Sequence, residues 1–181
     1  WHNELLTKWI SENPVAVGVG WEPYPTSVRI INWIKWSCQN NLLSAEAIQN
    51  LALQARWLER NIEWHLLGNH LFTNAKALVH AGLYFHGKEA DRWLNKGMKI
   101  LRDQVDEQIL KDGGHFEQST MYHALVLEDL LDLINLCRHK LPRLSDDQRK
   151  QLLHWRSVAN RMVHWLKVMS YPDEKISFFN D

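Results

Sequence analysis

Cysteine is scarce in this chain: Cys38 and Cys137 are the only two in 181 residues. They stand far apart and match no metal or redox spacing, so they read as buried thiols rather than as a bridge or a reactive pair. No apolar run approaches the roughly 18 residues that a membrane-spanning helix needs. The N-terminus also lacks a charged region followed by an apolar one, so no export signal is visible. Neither sign of charge is in excess, with 21 basic against 21 acidic residues. That balance argues against a nucleic-acid stripe or a polybasic membrane patch, and any anionic ligand must be held by local groups. Ten histidines are present, yet no two stand four apart, no Glu precedes a His by three, and HExxH is missing. The spacing of helical metal ligands is therefore absent, and neither metal nor cofactor is expected.

What is present is helical periodicity. A chain of this length fits one domain, residues 1–181, and buries roughly 70% of its unfolded surface. Leu5, Leu6, Trp9 and Ile10 give residues 1–12 helical spacing. Three Pro and two Gly make residues 13–25 a loop. Val28, Ile31 and Ile34 continue a helical stripe that Asn40-Asn41 ends. Ser44 is a good N-cap for a helix running to about Leu67. Gly68 breaks that helix, and Asn69 can cap the next, which carries Leu71, Ala75, Leu78, Val79 and Leu83 and stops near Gly87. A further helix over 88–110 stops at Asp112-Gly113-Gly114. Another runs from about Ser119 to Lys140, where Pro142 closes it. Ser145 and Gln148 form a capping box for the last, to about Met169. No segment shows the alternation and turn chemistry of a β-hairpin, so the chain reads as all-α, built from antiparallel helix hairpins. The opening Trp1, in place of a start methionine, and the apolar Ile176-Ser177-Phe178-Phe179 near the close suggest a piece of a longer protein.

Ten tryptophans are many for this length. Trp33, Trp36, Trp57, Trp64, Trp93, Trp155 and Trp165 sit in helical patterns and are expected to pack against partner helices. Trp21 and Tyr24 fall in the Pro/Gly loop, where an aromatic can either anchor the loop or stack on a sugar.

The residues that carry chemistry sit at helix ends: Gly68-Asn69-His70, then Gly113-Gly114-His115-Phe116-Glu117-Gln118-Ser119 with Met121-Tyr122-His123. Together with the stretch from Gly20-Trp21-Glu22-Pro23-Tyr24-Pro25 to Phe178-Phe179-Asn180-Asp181, these motifs resemble the helical N-terminal domain of the heparinase II/III and alginate lyase superfamily of polysaccharide lyases. The resemblance implies an incomplete α/α toroid that cleaves a uronate-containing polysaccharide. It raises Asn69, His70 and Tyr122 together, as matches to the carboxylate-neutralising and proton-transfer motifs. It also implies a C-terminal β-sandwich domain carrying a further catalytic His or Tyr. That domain is absent from these residues, so this chain alone should bind weakly and turn over little. A periplasmic or secreted, bacterial setting follows from the same likeness.

The chemistry is consistent with that set. Eliminating across a 4-linked uronate removes a weakly acidic proton at C5 and expels the oxygen at C4. The carboxylate must first be neutralised by donors, because negative charge grows as the proton leaves. A base near C5 and an acid near the leaving oxygen are then needed. Asn69 offers an amide beside free helix-start N–H groups, or is simply a cap. His70 offers a second hydrogen bond, or a base for one epimer of the uronate. Tyr122 serves as base, acid or both once nearby cations and donors lower its phenol, with His115 and His123 close enough in sequence to tune it. Glu117 and Gln118 can orient that tyrosine or hold hydroxyls, although an acid in a first helical turn also suits the dipole. Arg29 meets a substrate carboxylate or pairs with an acid.

Two other readings stay open at this point. One is a non-catalytic α/α domain that binds glycan or protein. The other is a hydrolase on a similar toroid with Glu22 and Glu117 as its carboxylates, which the Asn/His/Tyr set disfavours.

Overall fold

The computed structural model describes residues 1–39, 42–66, 68–173 and 175–177. Among them lie seven α-helices: α1 (His2–Glu12), α2 (Pro23–Cys38), α3 (Ala45–Arg60), α4 (Gly68–Tyr84), α5 (Lys88–Gln108), α6 (Thr120–His139) and α7 (Asp146–Met169). The only β pairing among the described residues consists of two isolated bridges, Ile109 with His115 and Ser170 with Ile176. Where the length predicts one domain, contacts group the chain into two compact units, Trp1–Met98 and Lys99–Asp181, and the division falls inside α5.

The first unit is organised on α4. Every residue from Leu71 to Leu83 is buried, the signature of a helix covered on all sides rather than one with a single apolar face. Ile30 and Ile34 of α2, Leu51 and Leu58 of α3 and Trp93 of α5 supply fully buried partners. Glycine lets α4 and α5 come together: a Cβ on Gly82 would stand 2.6 Å from the Leu94 nitrogen, and one on Gly97 2.7 Å from the Ala75 oxygen. At the surface, Arg56 donates to both oxygens of Glu89 and Arg92 to both oxygens of Glu59. The Trp93 indole and the Lys96 ammonium also close on Glu59, tying α3 to α5.

The second unit packs α6 against α7, with Leu130, Cys137, Trp155 and Met162 fully enclosed. The capping box is as read from the sequence: Ser145 accepts from the Gln148 nitrogen and the Gln148 side chain accepts from the Ser145 nitrogen. Ser44 and Ser119 cap α3 and α6 through their hydroxyls.

Several expectations are corrected. The loop over 13–25 ends early, because Pro23 opens α2 at the first helical position, where its missing N–H costs nothing. Tyr24 is therefore helical. Helix α3 stops at Arg60 rather than near Leu67, and the Asn61 amide donates to the Trp57 oxygen as the chain turns out. Trp64 lies beyond that end and is exposed. Asn40, Asn41 and Leu67, taken as helix-ending positions, lie outside the described residues, as do residues 178–181 of the resemblance. Of the two thiols expected to be buried, Cys38 is exposed, whereas Cys137 is buried and its thiol is pushed up to about 12 by loss of solvent.

Candidate functional site

In the first unit the chain leaves α3, turns through residues 62–66 and re-enters helix at Gly68, the first residue of α4. Asn69 and His70 thus stand inside the first turn of α4 rather than with Asn69 as its cap. The first-turn N–H groups of a helix lack intrahelical partners and favour an anion. The Asn69 Oδ1 is buried and meets no donor among the described residues.

His70 is held on two sides. Its ring lies 4.7 Å from that of Tyr24, tilted by 38°, and its Nδ1 lies 3.2 Å from Oε1 of Glu63. The imidazole remains 44% exposed while the Glu63 side chain is 9% exposed. Behind Glu63 stands Asn74, fully buried on α4. Its Oδ1 accepts from the Glu63 backbone N–H at 2.9 Å, and its Nδ2 donates to Glu63 Oε2 at 3.0 Å and to Ser27 Oγ at 3.1 Å. Ser27 in turn donates to the Pro23 oxygen at 2.8 Å. From the Glu63 backbone N–H through Asn74 and Ser27 to the Pro23 oxygen, each bond has one donor and one acceptor.

Glu63 also borders a cleft of about 630 Å³ whose walls include Trp21, Glu22, Trp57, Asn61 and His65. Trp21 contributes little free surface. It is 1% exposed, lies between Trp9 and Trp57 with ring centroids 6.0 Å from each, and donates through its indole to the Asn13 oxygen. It anchors the segment rather than standing at a rim.

Arg29 is likewise occupied. Its guanidinium donates to Gln54 Oε1, to the Gly20 oxygen and to Thr26 Oγ1 and lies 3.8 Å from the Trp9 ring centroid. Burial lowers its pKa to about 10, still far above neutrality. It meets neither of the partners expected of it, an acid or an open face for a substrate carboxylate.

In the second unit, the Gly113-Gly114 turn is closed by the Ile109–His115 bridge and by the Asp112 carboxylate, which accepts from the Gly114 nitrogen. Gly113 has φ +96°, and a Cβ there would lie 2.6 Å from the Arg161 carbonyl. The turn therefore needs glycine twice over, for conformation and for contact with α7. It delivers His115 into the interior, 1% exposed, with Nε2 3.3 Å from Gln108 Oε1. His123 is fully buried, its Nε2 3.0 Å from the Met162 oxygen and its ring 4.5 Å from Trp165. Both partners are acceptors, so each imidazole donates through Nε2, and both Nδ1 atoms are buried without a partner among the described residues.

Burial drives His115 down to about 4, with the His123 charge adding to it, and burial also lowers His123. Both are neutral at physiological pH, so neither supplies the positive charge that the sequence led us to expect beside the phenol. Tyr122 itself occupies the first turn of α6, half-buried, with its backbone N–H donating to the Ser119 hydroxyl. Glu117 and Gln118 precede the cap instead of lying in the helix, and both are exposed. Gln118 takes φ +58°, a conformation uncommon outside glycine.

The structure thus brings Tyr24 and His70 together. It adds two residues that sequence reasoning passed over, Glu63 and Asn74. Glu63 sat in what read as the tail of a helix, and Asn74 reads as one polar position in an apolar helix. Only the spacing Asn74 = His70 + 4, one turn along the same face, hinted at the association. No group of three or more candidate metal ligands occurs among the described residues, and no helix among them is long and apolar enough to cross a membrane.

Comparison with known proteins places this architecture. The family model of the heparinase II/III N-terminus matches residues 6–181. A heparin-sulfate lyase of Bacteroides thetaiotaomicron is 40% identical over 117 residues, which is 63% of this chain and 17% of the relative. One from Bacteroides stercoris is 26% identical over 120 residues, again 63% of this chain and 16% of the relative. Among solved structures, heparinase III superposes with a TM-score of 0.75 at 25% identity over 95% of this chain and 27% of its own. The heparan sulfate lyase of Pedobacter heparinus gives 0.71 at 22% identity over 99% of this chain and 30% of its own, a likeness of fold. The chain therefore spans less than a third of the relatives it matches. The all-α fold class expected from the sequence is that of the helical N-terminal part of these proteins, and the chain belongs to the heparinase II/III family.

Proposed function

We propose that this chain is the helical N-terminal part of a polysaccharide lyase that cleaves a uronate-containing, heparan-type glycosaminoglycan by β-elimination, leaving an unsaturated uronate end. The observation that carries the reading is the first turn of α4, where Asn69 and a half-exposed His70 stand together, with His70 braced by Glu63. Donors at that point can neutralise a substrate carboxylate as charge develops. His70 donates to it or takes the C5 proton of one epimer. Tyr122 protonates the leaving C4 oxygen and takes the C5 proton of the other.

Sugar contacts fall to Tyr24, Glu117 and Gln118. Arg29, Trp21, His115 and His123 support the chain around them rather than touching substrate. Heparin-sulfate lyases among the relatives favour heparan-type polymers over alginate. The remaining catalytic groups come from the part of the parent protein that these 181 residues do not span, in a C-terminal β-sandwich, and an exported enzyme fits such a polymer. The test is absorbance of newly formed unsaturated uronate by the full-length protein on heparan sulfate, heparin, alginate and chondroitin sulfate. Cleavage of the first two alone supports the reading; no cleavage of any removes it.

A further inference from the structure

The buried carboxylate of Glu63 has no place in the proton transfers above, yet it is held between Asn74 on one oxygen and His70 on the other. Asn74 grips it through both amide atoms, with Oδ1 on the Glu63 backbone and Nδ2 on its carboxylate. Ser27 fixes which way that amide faces, because its own proton goes to the Pro23 oxygen and its Oγ can only accept from Nδ2. With the Asn74 amide set, Glu63 Oε2 is an acceptor. Oε1 of a carboxylate is an acceptor too, and here it lies 3.2 Å from His70 Nδ1.

We propose that Glu63 is a positioning residue for His70, holding its proton on Nδ1 so that Nε2 of this half-exposed ring presents a bare lone pair to the substrate. This rests on the lyase reading for its purpose and on geometry for its existence. In the elimination step, Nε2 takes the proton from C5. The C–H electron pair becomes the C4–C5 double bond, the C4–O bond breaks, and the leaving oxygen takes a proton from a general acid of the full-length protein or from water. The imidazolium so formed is stabilised by the Glu63 carboxylate, which accepts from Nδ1 throughout and never takes the proton itself. A carboxylate that fixes an imidazole in this way is worth up to about 10⁴-fold in rate in the serine proteases.

The informative variant is Glu63→Gln. Its carbonyl oxygen keeps the bond from Asn74, which leaves the NH₂ facing His70 Nδ1, a donor where an acceptor stood. The histidine must then turn its lone pair to Nδ1 and carry its proton on Nε2. Nitrogen-15 spectra of ring-labelled histidine in the full-length protein, at about pH 8 and thus above the ordinary histidine value of about 6.5, read the two forms directly. His70→Asn assigns the signal.

We expect the Nδ1–H form in the native protein and the Nε2–H form in Glu63→Gln, with cleavage by the variant reduced roughly 10³-fold on polymers that use His70 as base. A native protein in the Nε2–H form overturns the proposal, as does a folded variant whose tautomer is unchanged. If the variant does not fold, the native spectrum decides alone. The expected tautomers in a protein that cleaves no polymer would sink the lyase reading and leave Glu63 as the residue that orients His70. Cleavage that depends on Tyr122, with the wrong native tautomer, would sink Glu63 and leave the lyase.

Discussion

The guanidinium of Arg29 lies 3.8 Å from the centroid of the Trp9 ring, and its three hydrogen bonds go to neutral oxygens. A half-buried cation whose bonded partners carry no charge must be retained by geometry. The flat guanidinium fits between the indole and the forked acceptors Gln54, Gly20 and Thr26, which an ammonium cannot serve together.

Replacing Arg29 by Ala is therefore expected to destabilise the first unit by about 2–3 kcal/mol, through loss of the stacking and of charge-assisted hydrogen bonds. Arg29→Lys should restore less than half of that. Thermal melts of the variants measure both. Cleavage by the protein that remains folded should keep its KM, whereas a large rise in KM would place Arg29 on the substrate.

Gly113→Ala meets two obstacles, a φ of +96° and a backbone carbonyl 2.6 Å from the new methyl. Strain in a sparsely populated region costs about 1–3 kcal/mol, and a backbone clash adds to it. Gly114→Ala instead meets the Trp165 indole at 2.8 Å, a side chain that has some freedom to shift. Denaturant titration should rank Gly113→Ala well below Gly114→Ala, and equal midpoints would contradict the packing of this turn on α7.

The parts of the fold legible from sequence are those set by local forces. The capping box at Ser145 and the hydroxyl caps at Ser44 and Ser119 involve residues three apart, so the sequence carries them openly. Pro23 misled because proline marks both loops and first helical turns, and the choice between them is made by the residues C-terminal to it. The all-round burial of α4 shows as an apolar run. The bond from Arg29 to Gln54 and the clamp of Asn74 on Glu63 do not show, since they join residues 25 and 11 positions apart that only packing brings together. Placing Asn69 and His70 at a helix start was within reach. That Glu63 would stand behind His70 was not, because it lies in the turn after α3 where no periodicity exists to read.

Acid should loosen the second unit. His115 is neutral and buried, with its value lowered to about 4 against an unfolded value of about 6.5. Between those values the unfolded chain binds a proton that the folded chain does not, so stability is complete above about pH 6.5 and is lost as the pH falls toward 4. His123 shifts in the same direction. The loss attributable to His115 is on the order of 3 kcal/mol. His115→Gln keeps a donor for Gln108 and cannot titrate, so its stability should fall less steeply between pH 6.5 and 4. Parallel curves for the two proteins would show that His115 is not the group responsible.

The central claim is proton transfer by Tyr122 in an elimination reaction, and the most direct measurement is ultraviolet absorbance of unsaturated uronate from the full-length protein on heparan sulfate, comparing the native enzyme with Tyr122→Phe. The account predicts a signal that falls by at least about 10³-fold in the variant, while binding of the polymer is retained. A variant that cleaves as fast as the native protein would contradict it.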